Sequence, residues 1–497
     1  MKALLLSAGF AFTALAVYAA DPALTIYNQN FAVVRDTVPL DLKSGVTDVR
    51  FSNTTAHLEP DSVILRDPSG KIALQILEQN YRNDPVSQDL LLSLFEGKTI
   101  DFFVREGKTV QGKIIRSGYT PSAQQVMQRY GQQYRSQMMN NNAPSQPIIE
   151  VDGKLQFSLP GQPLFPSLGD DTILKPMLAW KLESSKPGKL DAELSYITGG
   201  MSWEADYNVA APEDSDILDI IGWVTMDNQS GRTFESARIK LMAGDVNKIK
   251  PNVDFEGFIN YGSPIGGAAR GNLPVSEKTF DEYHLYTLAR PVTLHDHETK
   301  QVEFIRASGV KSEKIYVYDG LKIDWNRWRG YDMRSRRENE EFGSESDTKI
   351  AVMREFKNSE ANNLGMPLPK GRVRFYKQDG QQIEFTGENV IDHTPKDETL
   401  RIYTGNAFDI TGERRRTNFQ VDNSKRWAVE SFEIKLRNHK KEAVTVRVVE
   451  HLYRWFNWEI TEKTNDFAKL NAQEIEFRIH LKPDEEKTLT YKVVYTW

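Results

Sequence analysis

Hydrophobic and polar residues alternate with a period of two along most of the chain, as expected of strands with one buried and one wet face. The C-terminal part carries the pattern most clearly. Phe432, Ile434 and Leu436 alternate with Glu433, Lys435 and Arg437; Asn438-His439-Lys440-Lys441 reads as a turn, and Val444, Val446 and Val448 as the returning strand. Ile475, Phe477, Ile479 and Leu481 then alternate with Glu476, Arg478 and His480. Pro483-Asp484-Glu485-Glu486 turns the chain into Leu489, Tyr491, Val493 and Tyr495. Strands of this length joined by short polar turns predict antiparallel hairpins, and two such sheets must cover each other's apolar faces. The expected fold is mainly β: tandem antiparallel immunoglobulin-like β-sandwiches with a small inserted SH3-like β-barrel.

The pattern divides the chain into regions. Residues 21–96 form an N-terminal β domain, beginning its alternation at Leu24 and containing the best helix candidate, 86–95, with Asp84-Pro85 before it and Gly97 after it. Residues 97–180 form the barrel, with strands at 99–104, 109–116, 148–151 and 155–159. Its middle, 121–147, is rich in Gln, Asn, Ser and Met and reads as an insertion. A first sandwich spans 181–318, interrupted by a Gly/Pro-rich loop at 250–272. A charged, aromatic insertion follows at 319–347, then a second sandwich at 348–497.

The length of 497 residues fits roughly three domains. A hydrophobic content of 39% supplies each with a core. Net charge is −6 with a pI near 5.9, which does not suit a nucleic-acid partner, since that needs a concentrated basic face. The basic runs Arg334 to Arg337 and Arg414-Arg415-Arg416 adjoin Glu338, Glu340, Glu341 and Glu413, and read as solvated mixed-charge surface. At the N-terminus, Lys2, the apolar stretch 3–17 and Val17-Tyr18-Ala19 form a secretory signal peptide at 1–20, cleaved after Ala19 or Ala20. No other stretch is long and apolar enough to span a membrane. The chain has no Cys, so its domains rely on their cores rather than disulfides.

Catalytic signatures are sparse. H-E-x-x-H and G-x-S-x-G are absent. Gly97-Lys98-Thr99 and Gly107-Lys108-Thr109 end like phosphate loops but lack the earlier glycine, and read as strand-entry turns. Ser308-x-x-Lys311 and Ser346-x-x-Lys349 lack the companion motifs of penicillin-binding enzymes. His295-Asp296-His297-Glu298 is the one metal-like cluster, with His295 and His297 as candidate ligands of a divalent ion, set against an exposed turn. The acidic stretch 213–219 reads as a solvated turn rather than a calcium loop. Two aromatic groups remain. Trp325, Arg327, Trp328, Arg329 and Tyr331 lie in the insertion and form either a recognition surface or a cap folded onto a sandwich edge. His451 to Trp458 alternates as a strand, with Tyr453 and Trp455 on one face in a core.

Ser202-Trp203-Glu204-Ala205-Asp206-Tyr207, Asn228-Gln229-Ser230-Gly231-Arg232-Thr233-Phe234, Leu241-Met242-Ala243-Gly244-Asp245, Leu368 to Tyr376 and Phe385-Thr386-Gly387-Glu388 together resemble the domain of unknown function 4139 family, related to proteins named mucoidy inhibitors. Leu24 to Arg35 and Leu58 to Val63 are similar to that group's N-terminal domain. Many relatives carry a coiled coil between the two parts, whereas residues 81–180 show no sustained heptad. The resemblance implies β-sandwiches and an envelope setting, and it brings no catalytic residues. In the residues themselves, Trp203 and Tyr207 should fill a core and Gly231 should permit a turn. The expected function is a periplasmic or extracellular, non-enzymatic binding or scaffolding module for an envelope protein or polysaccharide, without a cofactor. The alternatives are a polysaccharide hydrolase or lyase, which needs two carboxylates across a cleft, and a divalent-metal-dependent role.

Overall fold

The computed structural model is mainly β, as the alternation predicts. It describes residues 21–83, 87–104, 107–119, 146–166, 174–212, 215–244, 246–248, 275–280 and 283–497. The expected signal peptide, nearly all of the 121–147 insertion, the 250–272 loop and Glu213-Asp214 lie outside the described residues. The chain divides into two compact units. As far as they are described, one is drawn from Met1–Trp203, Met226–Gly271 and Lys278–Lys300, the other from Glu204–Thr225, Asn272–Glu277 and Gln301–Trp497.

In the first unit, Ala23–Tyr27 runs antiparallel to Phe31–Leu42 on one edge and parallel to Phe234–Ala243 on the other. Gly188–Gly199 pairs with Phe31–Leu42 along its whole length. Residues from 21–96 and from 181–318 therefore share one sheet. The cause is local: Leu24, Thr25 and Ile26 are all buried, and a strand buried on both faces belongs in the middle of a sheet. The expected helix is found at Gln88–Leu94, where the Ser87 side chain accepts from Leu90 N–H and caps it.

The expected barrel is an open sheet of five strands, ordered Gln162–Leu164, Thr99–Phe103, Thr109–Arg116, Ile148–Val151 and Lys154–Gln156. Its two outer strands are three residues long, too short for the staggered pairing that closes a barrel. Leu92 of the helix joins Ile100, Phe102, Ile114 and Ile149 instead, so a helix covers the face that closure would have covered. Gly97 and Gly107 take positive φ just ahead of Thr99–Phe103 and Thr109–Arg116, which makes both Gly-Lys-Thr segments strand entries.

In the second unit, Gly371–Asp379 runs parallel to Met201–Ala211 and antiparallel to Gln382–Ile391. A nine-stranded sheet has the order Trp458–Lys463, Glu486–Thr496, Trp427–Asn438, Thr399–Asp422, Lys349–Lys357, Glu313–Asp319, Val444–His451, Glu474–Leu481 and Phe467–Lys469. Thr399–Asp422 is 24 residues long and changes partner part-way, from Lys349–Lys357 to Trp427–Asn438. The sheet coils, and its wings face each other: Phe477 of one lies 5.7 Å from Tyr491 of the other, ring centre to ring centre. The inward faces of Phe432, Ile434, Leu436, Val444, Val446, Val448, Phe477, Ile479 and Tyr491 form one core.

The strand positions follow the alternation, and the expected pairings do not. Trp427–Asn438 pairs with Glu486–Thr496, and Val444–His451 with Glu474–Leu481, so each short turn crosses between wings instead of closing a hairpin. Period two fixes which residues face inward, and a hairpin and a crossing arch satisfy it equally. Glu313–Asp319 also runs parallel to Val444–His451. The strand expected over 451–458 ends at His451 and the next begins only at Trp458; in between, Leu452 and Arg454 are the buried residues in place of Tyr453 and Trp455.

Candidate functional site

The insertion leaves the sheet after Asp319 and rejoins it at Lys349. Its two ends are tied together. Asp347 N donates to Gly320 O at 3.0 Å, Lys322 N to Glu345 O at 3.2 Å, and Leu321 bridges Ser346. Within it, Asp332 caps the short helix Met333–Glu338, accepting from Ser335 N at 2.7 Å. A six-residue helix has no independent stability, so something outside it must hold it.

Arg454 does so. Its side chain is fully buried beneath the insertion. Nη1 donates to the carbonyls of Arg336, Arg337 and Asn339 at 3.0–3.1 Å, and Nη2 donates to Phe342 O at 2.8 Å. These include the carbonyls that a helix leaves unpaired at its C-terminal end, where a positive charge is also favoured. The same guanidinium forms an ion pair with Glu430 Oε1 at 2.8 Å. Burial alone would lower the pKa of Arg454, and Glu430, together with Tyr453 and Tyr495, raises it.

Arg414 and Arg416 extend the anchor. Arg414 Nε reaches both oxygens of Glu450 at 3.0 Å, and its Nη1 donates to Gly343 O at 3.1 Å. Tyr491 Oη donates a short hydrogen bond to Glu450. Arg416 Nη1 donates to Glu430 Oε1 at 3.2 Å and Phe342 O at 3.3 Å, and Nη2 to Glu340 O. Three arginines face two glutamates, and backbone carbonyls of the insertion take up the excess positive charge. Gly343, at φ 75°, lies against Tyr453, whose ring stands where a Cβ would be, so only glycine permits this contact. Arg337, also buried, sits over the rings of Trp497 at 4.0 Å and Trp455 at 4.7 Å, and burial lowers its pKa.

The basic runs are therefore not simply solvated surface. Arg414 and Arg416 point inward and Arg415 outward, as alternate residues of a strand must, and Arg337 is buried while Arg334 is exposed. Arg454, Glu430 and Glu450 were missed altogether. The signal was present: Glu430 is in phase with Phe432 and Ile434, and Glu450 with Val446 and Val448. A charge in the apolar phase of a strand announces a buried partner.

The five aromatic and basic candidates separate into two sets. Trp328 is 4% exposed and packs edge-on against Phe342 and Tyr331, each 5.1 Å away. Arg327 pairs with Glu341 and with Glu345, the latter at 3.4 Å. Trp325, at 59% exposed, Tyr331, at 48%, and Arg329 face solvent, with Met333 also exposed. The Arg336 guanidinium lies 5.6 Å from the Trp325 ring centre. In the 451–458 stretch, Tyr453 and Trp455 are half-buried and Phe456 is exposed.

His295 to Glu298 is a turn in the first unit. His297 has a left-handed φ of 59°, its Nδ1 lies 2.9 Å from Asp296 Oδ2, and Glu298 Oε2 accepts from His295 N at 2.7 Å. The Glu298 carboxylate is thus committed to the turn's backbone. No group of three or more potential metal ligands occurs among the described residues. In the acidic stretch, Asp216 pairs with Arg354. One shallow groove, lined by Lys311, Ser312, Glu313, Glu355 and Asn362 among others, holds two carboxylates. Arg447 reaches Glu313 at 3.3 Å and Glu355 at 3.7 Å, and Arg401 reaches Glu355 at 2.7 Å, so both are neutralised in place.

The residues that carried the resemblance do structural work. Trp203 Nε1 donates to Met242 O at 3.1 Å, and Tyr207 Oη to Pro369 O at 2.7 Å. Asn228 Nδ2 donates to Arg232 O at 2.8 Å and to His295 O at 2.9 Å. Gly231 turns at φ 81° with Ala56 against its α-carbon. No helix among the described residues is long and apolar enough to cross a membrane. No curated protein matches the chain. The family model of domain of unknown function DUF4139 matches residues 192–497, more than half of the chain, and the protein belongs to that family.

Proposed function

We propose that this is an exported envelope protein whose second unit acts as a non-enzymatic binding or scaffolding module, with the insertion at 320–347 as its contact surface. One observation carries the reading: Trp325 and Tyr331 stand in solvent on a short segment that buried arginines hold in place. Exposed aromatic rings next to arginine are typical anchors of a recognition surface, and a surface fixed beforehand loses little entropy on binding. Such rings suit an envelope protein or the flat face of a sugar. Export to the periplasm or beyond is supported by Lys2 and the apolar stretch at 3–17. The hydrolase alternative draws less support from the shallow groove, because Glu313 and Glu355 there already hold guanidinium partners.

The test is capture of a partner by the tagged chain from detergent-solubilised envelope and from purified envelope polysaccharides. The variant is Trp325→Ala with Tyr331→Ala, leaving the buried Trp328 in place. Loss of capture with an unchanged melting temperature supports the assignment. Capture equal to that of the unsubstituted protein removes the insertion as the contact surface.

A further inference from the structure

His451 ends the strand Val444–His451, three residues before Arg454. Two neighbouring strands bring charge to it. Glu474 stands directly across from it in the antiparallel register. Asp319, the last residue before the insertion, is paired with Val449, two residues away on the same face. The Nε2 atom lies 3.0 Å from Asp319 Oδ2 and the Nδ1 atom 3.1 Å from Glu474 Oε1. Glu474 is fixed from its other side, its Oε2 accepting from Asn471 Nδ2 at 2.6 Å. Glu450, the preceding residue on the same strand, adds a third negative charge from the opposite face.

A neutral imidazole donates from one nitrogen only. Here both nitrogens face carboxylate oxygens, so the neutral ring would turn a lone pair toward one of them. The arrangement is satisfied only by the imidazolium. We propose that His451 is a pH-sensitive clasp at the base of the insertion: charged, it ties the outgoing end at Asp319 to the segment that carries Arg454, and neutral, it lets one carboxylate go. The inference rests on the reading of 320–347 as a contact surface and assigns that surface its regulation.

The sign follows from the charges. The hydrogen bond that His451 donates to Asp319 raises its pKa against the opposing effect of burial, and Glu474 and Glu450 act in the same direction as Asp319. A histidine raised in the folded state contributes stability that is complete below its unfolded pKa, near 6.5, and is lost as pH rises through the folded value. The insertion should therefore be tightest in mildly acidic medium and loosen toward alkaline pH. An exported protein, unlike one behind a buffered membrane, meets that range directly.

Hydrogen–deuterium exchange of peptides from 320–347 tests this in the whole chain, at pH values from 5.5 to 9 and corrected for the intrinsic pH dependence of exchange. Protection should fall by about three-fold across the transition, the factor expected of one half-exposed ion pair. His451→Gln should show the low protection at every pH, and His451→Arg, permanently charged, should remove the pH dependence. A wild-type profile that is flat with pH, or one that His451→Gln leaves unchanged, overturns the clasp. These results do not depend on any partner. If the exchange behaves as stated while Trp325→Ala with Tyr331→Ala leaves capture intact, the clasp stands and the contact surface falls.

Discussion

Two of the clusters of arginine and glutamate in the second unit differ in what surrounds them. Around Arg447, Glu313 and Glu355 are direct cross-strand neighbours, a repulsive placement that Arg447 and Arg401 relieve from either side. Glu313 is largely exposed, so water screens what the cluster gains. Around Arg454, both glutamates and all three guanidinium groups are shut away from solvent, with Glu430 and Glu450 wholly buried. Water cannot replace a lost partner there. The same residue types thus decorate a surface groove in one place and fix the position of a whole segment in the other. Burial, not pairing, separates the two roles.

That contrast predicts a ranked set of effects. The largest belongs to Arg454→Ala, which leaves Glu430 in a dry site with only Arg416 and Tyr453 and strips the carbonyls of Arg336, Arg337 and Asn339 of their guanidinium donor; it should cost about 3–5 kcal/mol in urea unfolding monitored by tryptophan fluorescence. A loss below about 1 kcal/mol would mean that the cluster is hydrated and contributes no more than a surface pair. At the other cluster, Arg447→Ala should cost at most about 1 kcal/mol, most of it suppressed by raised salt. A salt-independent loss as large as that of Arg454→Ala would erase the distinction. The smallest stability change is expected for Trp325→Ala, because that ring is exposed; its effect should appear in partner capture alone.

Much of this was legible in the chain. The phase of Phe432, Ile434 and Leu436 located a strand and its inward face, and Trp203, Tyr207 and Gly231 took the core and turn positions their residue types imply. Pairing was not legible, since hairpins and crossing arches demand the same alternation, as the turns after Asn438 and Leu481 show. The barrel expectation failed because its outermost strands are too short to meet. The site was half legible. Trp325 to Tyr331 drew attention for its aromatic content, yet what fixes it is Arg454, 123 residues farther on than Tyr331 and inside a stretch whose alternation reads as a strand. The arginines at 414 and 416 were visible as a basic run. Only the interior phase of Glu430 and Glu450 distinguishes a buried network from a solvated face.

The measurement closest to the central claim is limited trypsin digestion of the wild type and of Arg454→Ala, with cuts mapped by mass. Arg327, Arg329 and Arg334 are exposed cleavage sites on the insertion, and their rate of cutting reports how often that segment leaves its anchor. The account predicts cleavage at these three sites about ten-fold faster or more in the variant, while exposed sites such as Arg415 in the sheet below are cut at the wild-type rate. Equal cleavage of the insertion in both proteins, or acceleration spread evenly over 399–497, would contradict it, because the arginine would then support the sheet and not the surface above it.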